Sequence, residues 1–294
     1  MTDTNRKTVL VTGANSGLGK AIALAFARDG MRVGMLVRNE ARGLAARDEI
    51  LAATGNREIS LFVADLGSQH EVRRAAAEIL DRFERLDLLI NNAGTAYASR
   101  RTSPEGLERS LAVNHLGPFL LTGLLLERIK ASAPARIVNV GTKMDTAMDF
   151  DDLDWTRRRY RMMQAYGQSK LGNLHFTFEL ARRLAGTGVS VNCVFPGVFR
   201  SNLGGSDGAQ GIFWKAVDLL LGWALPTPTR AAERVLHAAR SPDLDGVTGR
   251  YLGDRRSIKA PSQALDADAN RRLWTISERL VGFSQNPAAR FPGS

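Results

Sequence analysis

A doubly wound α/β fold is what this chain of 294 residues predicts, with one parallel sheet of about seven strands and helices on both faces. Three observations carry that expectation. Short apolar and β-branched runs alternate with stretches of helical periodicity along the chain, the order that joins parallel strands through crossover helices. The first such run leads straight into a glycine-rich turn that opens a helix. Hydrophobic residues make up 44% of the sequence and no Pro/Ser/Gly-rich linker divides it, so a single domain over 1–294 is expected.

The strand-like runs are Thr8 to Val11, Arg32 to Val37, Ile59 to Val63, Leu86 to Ile90, Arg136 to Val140, Val189 to Val194 and Arg250 to Leu252. Helical patterns begin near Leu18, Glu40, Ser68, Leu107, Ala165 and Thr229 between them. Two segments break the rhythm: Met144 to Gln164 is polar and charged, and Ser201 to Pro228 is glycine-rich and then strongly apolar. Within the first, Asp149 to Asp154 is rich in acids, but it lacks the turn glycine and closing glutamate of a calcium loop. Arg157 to Arg159 follow at once, so it reads as a self-neutralising surface loop.

The formal charge is +10, yet the basic residues are scattered and no nucleic-acid module gathers them, so no nucleic-acid partner is expected. A phosphorylated cofactor on an arginine-rich surface accounts for the charge better. The N-terminal residues show no secretory pattern, and no apolar run reaches the roughly 18 residues of a membrane span. Cys193 is the only cysteine and sits in a core-strand pattern, which excludes a disulfide scaffold and points to a reducing cytoplasm. His70, His115, His175 and His237 lack ligand spacing, so no metal site is expected. Arginine outnumbers lysine and alanine and glycine abound, a composition that suggests a bacterial, GC-rich genome.

After the first strand, Thr12-Gly13-Ala14-Asn15-Ser16-Gly17-Leu18-Gly19-Lys20 opens a helix. Glycines there allow a tight turn and close approach of the backbone to a pyrophosphate, whose charge meets the helix N-terminus. A nucleoside-triphosphate P-loop is excluded, because Ala14 replaces its first glycine and Ala21 its magnesium-binding hydroxyl. At the end of the second strand stands Val37-Arg38-Asn39 in place of the carboxylate that NAD-binding sites direct to the ribose hydroxyls. A guanidinium there suits a 2′-phosphate, so the expected cofactor is NADP(H).

Tyr166-Gly167-Gln168-Ser169-Lys170 places a phenol and an ammonium one helical turn apart, on one face. A cation near a phenol favours the phenolate, so the pair is suited to proton exchange with a carbonyl or alcohol oxygen near neutral pH.

Taken in order, these motifs resemble the short-chain dehydrogenase/reductase family with its Rossmann-type sheet, and specifically its retinol-dehydrogenase-like branch. The resemblance runs from Thr8 to Leu203 and reappears in Gly249 to Leu252 and Arg272 to Trp274. It implies that Gly13, Asn15, Ser16, Gly17, Leu18 and Gly19 form the cofactor turn and that Asp65 and Leu66 touch the adenine. It likewise implies a structural turn at Asn91, Asn92, Ala93 and Gly94 beside the cofactor, and a segment holding the nicotinamide carboxamide at Pro196, Gly197, Val198 and Ser201. Tyr166 is implied as the general acid/base, with Lys170 tuning it and binding the nicotinamide ribose. Asn114 is implied to hold a water that links Lys170 to solvent.

One position departs from the pattern. Where the family places its second serine after the fifth strand, this chain has Thr142, which keeps the hydroxyl but adds a methyl and stiffens χ1. Thr142 is expected to orient the substrate oxygen. Residues 201–228 match the position of a substrate lid in relatives, with Phe213, Trp214 and Trp223 expected to line a pocket for a bulky, hydrophobic carbonyl or alcohol, polycyclic or derived from secondary metabolism. Reversible hydride transfer running as reduction is the expected reaction, in a monomer or homodimer. The competing expectation is a catalytically weak NADP(H)-binding regulator of the same fold, favoured only by Thr142.

Overall fold

The structure is a computed structural model that describes residues 6–144, 146–199 and 226–283. Strands β1 (Thr8–Thr12), β2 (Arg32–Val37), β3 (Ile59–Val63), β4 (Leu88–Asn91), β5 (Ala135–Val140), β6 (Val189–Val194), β7 (Arg250–Gly253) and β8 (Arg256–Ser257) form one sheet in the order β3-β2-β1-β4-β5-β6-β7-β8. The first seven run parallel, and only β8 is antiparallel. The arrangement is a single Rossmann-like α/β domain.

Helices α1 (Gly17–Arg28), α2 (Glu40–Thr54), α3 (Gln69–Arg82), α4 (Arg109–Leu111), α5 (Gly117–Ala131), α6 (Met162–Arg183), α7 (Pro228–Arg240), α8 (Ser262–Leu265) and α9 (Ala267–Leu280) surround it. Local chemistry sets several of their starts. Asn39, Ser68, Thr227 and Asp266 are N-caps whose side chains accept from backbone N–H groups of the first turns of α2, α3, α7 and α9. Two apolar layers follow, one on each face of the sheet. One packs α3, α5, α6 and α9 around Phe119, Leu125, Phe176 and Trp274; the other packs α1, α2 and α7 around Ile22, Phe26, Ile50 and Val235. Leu174, Phe176 and Phe178 of α6 are all buried in the first layer.

Three boundaries differ from the sequence expectation. β4 begins at Leu88, two residues later than expected; the Asp87 side chain just before it accepts from Thr8 N at 2.8 Å and pairs with Arg85. An eighth strand follows β7 through Asp254 and Arg255, both left-handed with φ of 51° and 65°, a two-residue turn that normally calls for Asn-Gly. The Asp149–Asp154 loop is neutralised by arginines as expected, through Arg158, Arg272 and Arg100. It is not a surface loop throughout: Asp152, Leu153 and Trp155 are buried, and Gln168 of α6 donates to Leu153 O at 3.0 Å.

Candidate active site

Seven parallel strands end on one edge, and the chain leaves β1 and β4 in opposite directions, which opens a crevice there. That edge gathers Gly13 after β1, Arg38 after β2, Asp65 after β3, Asn92 to Gly94 after β4, Gly141 and Thr142 after β5, and Pro196 to Val198 after β6. Ser201, Phe213, Trp214 and Trp223, with nearly all of the expected lid, lie outside the described residues.

The turn after β1 is built by glycines. Gly13 has φ of 67° and Gly17 of 52°, conformations that other residues adopt only with strain. A Cβ on Gly19 would lie 2.3 Å from Gly13 O, so only glycine lets the first turn of α1 close on the strand end, whereas a Cβ on Gly17 would meet nothing within 4 Å. The N-terminus of α1 therefore faces open space. Asn15 is half-buried in the turn and Leu18 is buried beneath it. Ser16 is the N-cap with an extended backbone, and its exposed hydroxyl makes no cap bond, leaving it available to an anion. The Lys20 ammonium pairs with Glu49 of α2.

Arg38 is exposed at the end of β2 and makes no ion pair among the described residues. Asp65 pairs with Arg109 and accepts from Gly67 N at 2.8 Å, while Leu66 is buried below it. The Asn92 side chain donates to Thr12 O at 2.8 Å, and Thr12 Oγ1 accepts from Asn92 N and Ala93 N at 3.0 Å each. Asn92 and Ala93 thus brace the crevice floor by tying the β4 turn to β1. These residues fit a phosphorylated dinucleotide: an open, glycine-lined helix N-terminus, an uncommitted hydroxyl and an uncommitted guanidinium.

Tyr166 and Lys170 lie on α6, both buried, with Tyr166 8% and Lys170 3% exposed. The Thr142 side chain lies near enough to the phenol to lower its pKa, against the effect of burial. Lys170 Nζ donates to Val140 O at 2.9 Å, and a Cβ on Gly94 would sit 3.0 Å from that nitrogen and 3.5 Å from Asn114 Oδ1. Burial pushes the phenol up to about 12, opposed by the Thr142 side chain, and burial pulls Lys170 down to about 8, opposed by the nearby Cys193. Removal from water is the larger cause of both shifts, and the ammonium is directed at a carbonyl. At neutral pH the phenol carries its proton. Ser169 is not a substitute for Thr142: its hydroxyl donates to Tyr166 O at 2.7 Å and accepts from Asn114 Nδ2 at 2.9 Å.

Asn114 sits in a π-turn, Ala112–Leu116, between α4 and α5, closed by Gly117 N donating to Ala112 O. Pro118 explains the turn. It has no N–H for the carbonyl four residues back, which is that of Asn114, and its ring crowds that carbonyl, so the backbone widens. The side chain donates to Thr95 O at 2.8 Å as well as to Ser169, and its Oδ1 accepts from Thr95 N at 2.8 Å. Both amide protons of the Asn114 side chain are engaged.

The arrangement can be placed among known proteins. The sequence pattern of short chain dehydrogenases matches residues 7–210. This chain belongs to that family. Within it the retinol-dehydrogenase-like branch is the match: retinol dehydrogenase 13 of Homo sapiens is 43% identical over 289 residues, covering 97% of this chain and 87% of that one. A solved protein of uncharacterised function from Mycobacterium paratuberculosis is 32% identical, with a TM-score of 0.74 over 94% of this chain and 93% of its own. The 3-ketoacyl-(acyl-carrier-protein) reductase of Brucella melitensis, solved with NADH, is 25% identical with a TM-score of 0.64, over 86% of this chain and 98% of its own. The chain is therefore an oxidoreductase of the short-chain dehydrogenase family.

Other short-chain dehydrogenase positions at this edge escape a reading of motifs. Arg234 of α7 donates to Pro196 O at 2.7 Å, pairs with Asp254 at 3.5 Å, and has a nitrogen 2.1 Å from where a Gly197 Cβ would stand. Gly197, with φ of 90°, is glycine because a guanidinium occupies its side-chain space. Val198 beyond it is 68% exposed. Cys193 packs under Gly141, whose Cβ would be 2.6 Å from Sγ, and burial pushes its thiol up to about 12, so it is a packing residue and not a nucleophile. Neither contact has a local sequence signal; the nearest clue to Asn114's geometry was Pro118 four residues on.

Proposed function

We propose that this short-chain dehydrogenase is an NADP(H)-dependent carbonyl reductase and alcohol dehydrogenase for a bulky hydrophobic substrate. The observation that carries the reading is the buried Tyr166 phenol, with the Thr142 side chain near it and Lys170 one helical turn away beside the crevice. The nicotinamide, when bound, supplies or accepts the hydride. Tyr166 gives its proton to the carbonyl oxygen in reduction and takes it back in oxidation. Thr142 orients that oxygen from the other side. Lys170 is the cation that favours the transient phenolate, and Asn114 holds the water through which the proton is replaced. Gly13, Gly17 and Gly19 let the backbone approach the pyrophosphate, Ser16 offers it a hydroxyl, and Arg38 binds the 2′-phosphate that NADP(H) adds.

The substrate class rests on the apolar run Ile212 to Leu225 in the sequence and is supported by relatives named retinol dehydrogenases, retinol being a large apolar alcohol. The nearness of the Thr142 side chain to Tyr166 supports catalysis over the regulator reading. The test is cofactor oxidation by the purified protein with NADPH and a panel of large apolar ketones and aldehydes, small polar ketones serving as controls. Turnover of the large apolar members is expected. Turnover confined to small polar carbonyls overturns the substrate class, and no turnover with either cofactor overturns the enzymatic reading.

A further inference from the structure

His115 follows Asn114 in the π-turn and is itself 1% exposed. Its Nε2 lies 2.8 Å from Ser277 Oγ on α9. The Ser277 hydroxyl proton is already directed to Leu273 O at 2.8 Å, so Ser277 can only accept from the imidazole, and His115 carries its proton on Nε2. The opposite edge of the ring lies against α6, where a Cβ on Gly172 would stand 3.1 Å from both Cγ and Nδ1. Burial, reinforced by the neighbouring His175 and opposed by Asn173, pulls His115 down to about 3, so the ring is neutral and keeps this tautomer across the working range.

Two consecutive residues of one unusual turn are thus bolted to the structure on different sides. Asn114 is tied to α6 through Ser169 and to the β4 turn through Thr95; His115 is tied to α9 through Ser277 and wedged against α6. A π-turn is less favourable than the α-helix on either side and persists where contacts hold it. Pro118 denies the α-helical bond to the Asn114 carbonyl, but nothing in Pro118 dictates which way the widened turn faces. The aromatic cluster around the ring, with Phe119 at 6.1 Å and Phe176 at 6.4 Å between centroids, extends to Trp274 of α9 and offers no other polar partner for Nε2.

We propose that His115 and Ser277 are positioning residues, through which the C-terminal helix α9 fixes the π-turn and with it the direction of the Asn114 side chain. The inference rests on the proposed reductase function, since Asn114 matters to turnover only there. It assigns α9, far along the chain from the catalytic motifs, a part in proton replacement and not only in core packing.

Removing the acceptor with Ser277→Ala, or the donor with His115→Leu, is expected to lower kcat by about 10-fold while KM for the cofactor stays within about 2-fold, the scale expected when a group near the chemistry is misplaced by a fraction of an ångström. His115→Gln, which keeps an N–H at a comparable reach, should restore most of kcat. In an Asn114→Ala background Ser277→Ala should have no further effect on kcat, because its influence runs through Asn114. Hydrogen exchange at amides 113–117, relative to those of α6, should accelerate in Ser277→Ala, a readout that needs no activity. Unchanged kcat and unchanged exchange in folded Ser277→Ala overturn the proposal, as does an equal loss of kcat with and without Asn114. If the wild-type protein turns over no carbonyl, it is the reductase reading that fails, and the exchange measurement still decides whether α9 holds the turn.

Discussion

Replacing Lys170 with methionine isolates the energetic tension at the site. The ammonium is 3% exposed and burial lowers its pKa from 10.5 to about 8. Such a group binds fewer protons folded than unfolded between those values, so its charged form destabilises the fold fully below about pH 8 and the penalty fades as pH rises toward 10.5. At ~1.4 kcal/mol per pH unit, the penalty is roughly 3 kcal/mol at pH 7 and under about 1 kcal/mol at pH 10. Lys170→Met also deletes the bond to Val140 O, a loss that does not depend on pH. The informative quantity is therefore a double difference: from pH 7 to pH 10 the wild type should gain roughly 2 to 3 kcal/mol relative to Lys170→Met, because the other titrating groups are common to both. Urea unfolding of both proteins at both pH values measures it. If the two proteins change in parallel, Lys170 is not desolvated in the folded state and the electrostatic account of the site is wrong.

Arg38→Ala should reduce the preference for NADPH over NADH by about 1.5 to 3 kcal/mol, the scale of a charge-assisted hydrogen bond, with NADH affinity little changed. Fluorescence titration with the two cofactors reads this directly, and a wild type that binds both equally removes the basis for NADP(H). Thr142→Ala should lower kcat by ~10²-fold and Thr142→Ser should hold or raise it, since only the hydroxyl reaches Tyr166. Wild-type kinetics in Thr142→Ala would mean that another group orients the substrate oxygen. Arg255→Gly should stabilise the protein by about 1 kcal/mol, by relieving a left-handed residue in the β7–β8 turn. A lowered melting temperature would show that the arginine side chain outweighs the backbone strain.

The parallel sheet and the crevice residues were legible because each depends on local pattern. The seven parallel strands match apolar runs, and the turn glycines are required by positive φ and close approach that only glycine tolerates. What escaped depends on pairs far apart in sequence. Arg234 reaches Pro196 across 38 residues and His115 reaches Ser277 across 162, and neither side chain differs in sequence from an ordinary surface arginine or core histidine. The eighth strand escaped because Asp254-Arg255 lacks the glycine that would announce its turn. The protonation of Tyr166 and Lys170 has no local signal either: spacing shows that the two groups share a helix face, but burial, which shifts the phenol up and the ammonium down, depends on the tertiary fold.

Tyr166→Phe is the most direct test of the central claim, since it removes one oxygen and leaves the ring in its buried seat. The measurement is single-turnover NADPH oxidation with a substrate that the wild type reduces, together with NADPH affinity on the same preparation. Loss of about 10² to 10⁴ in rate with affinity within about 3-fold of wild type is the predicted outcome. Hydride transfer at the wild-type rate in Tyr166→Phe would show that the proton comes from another group.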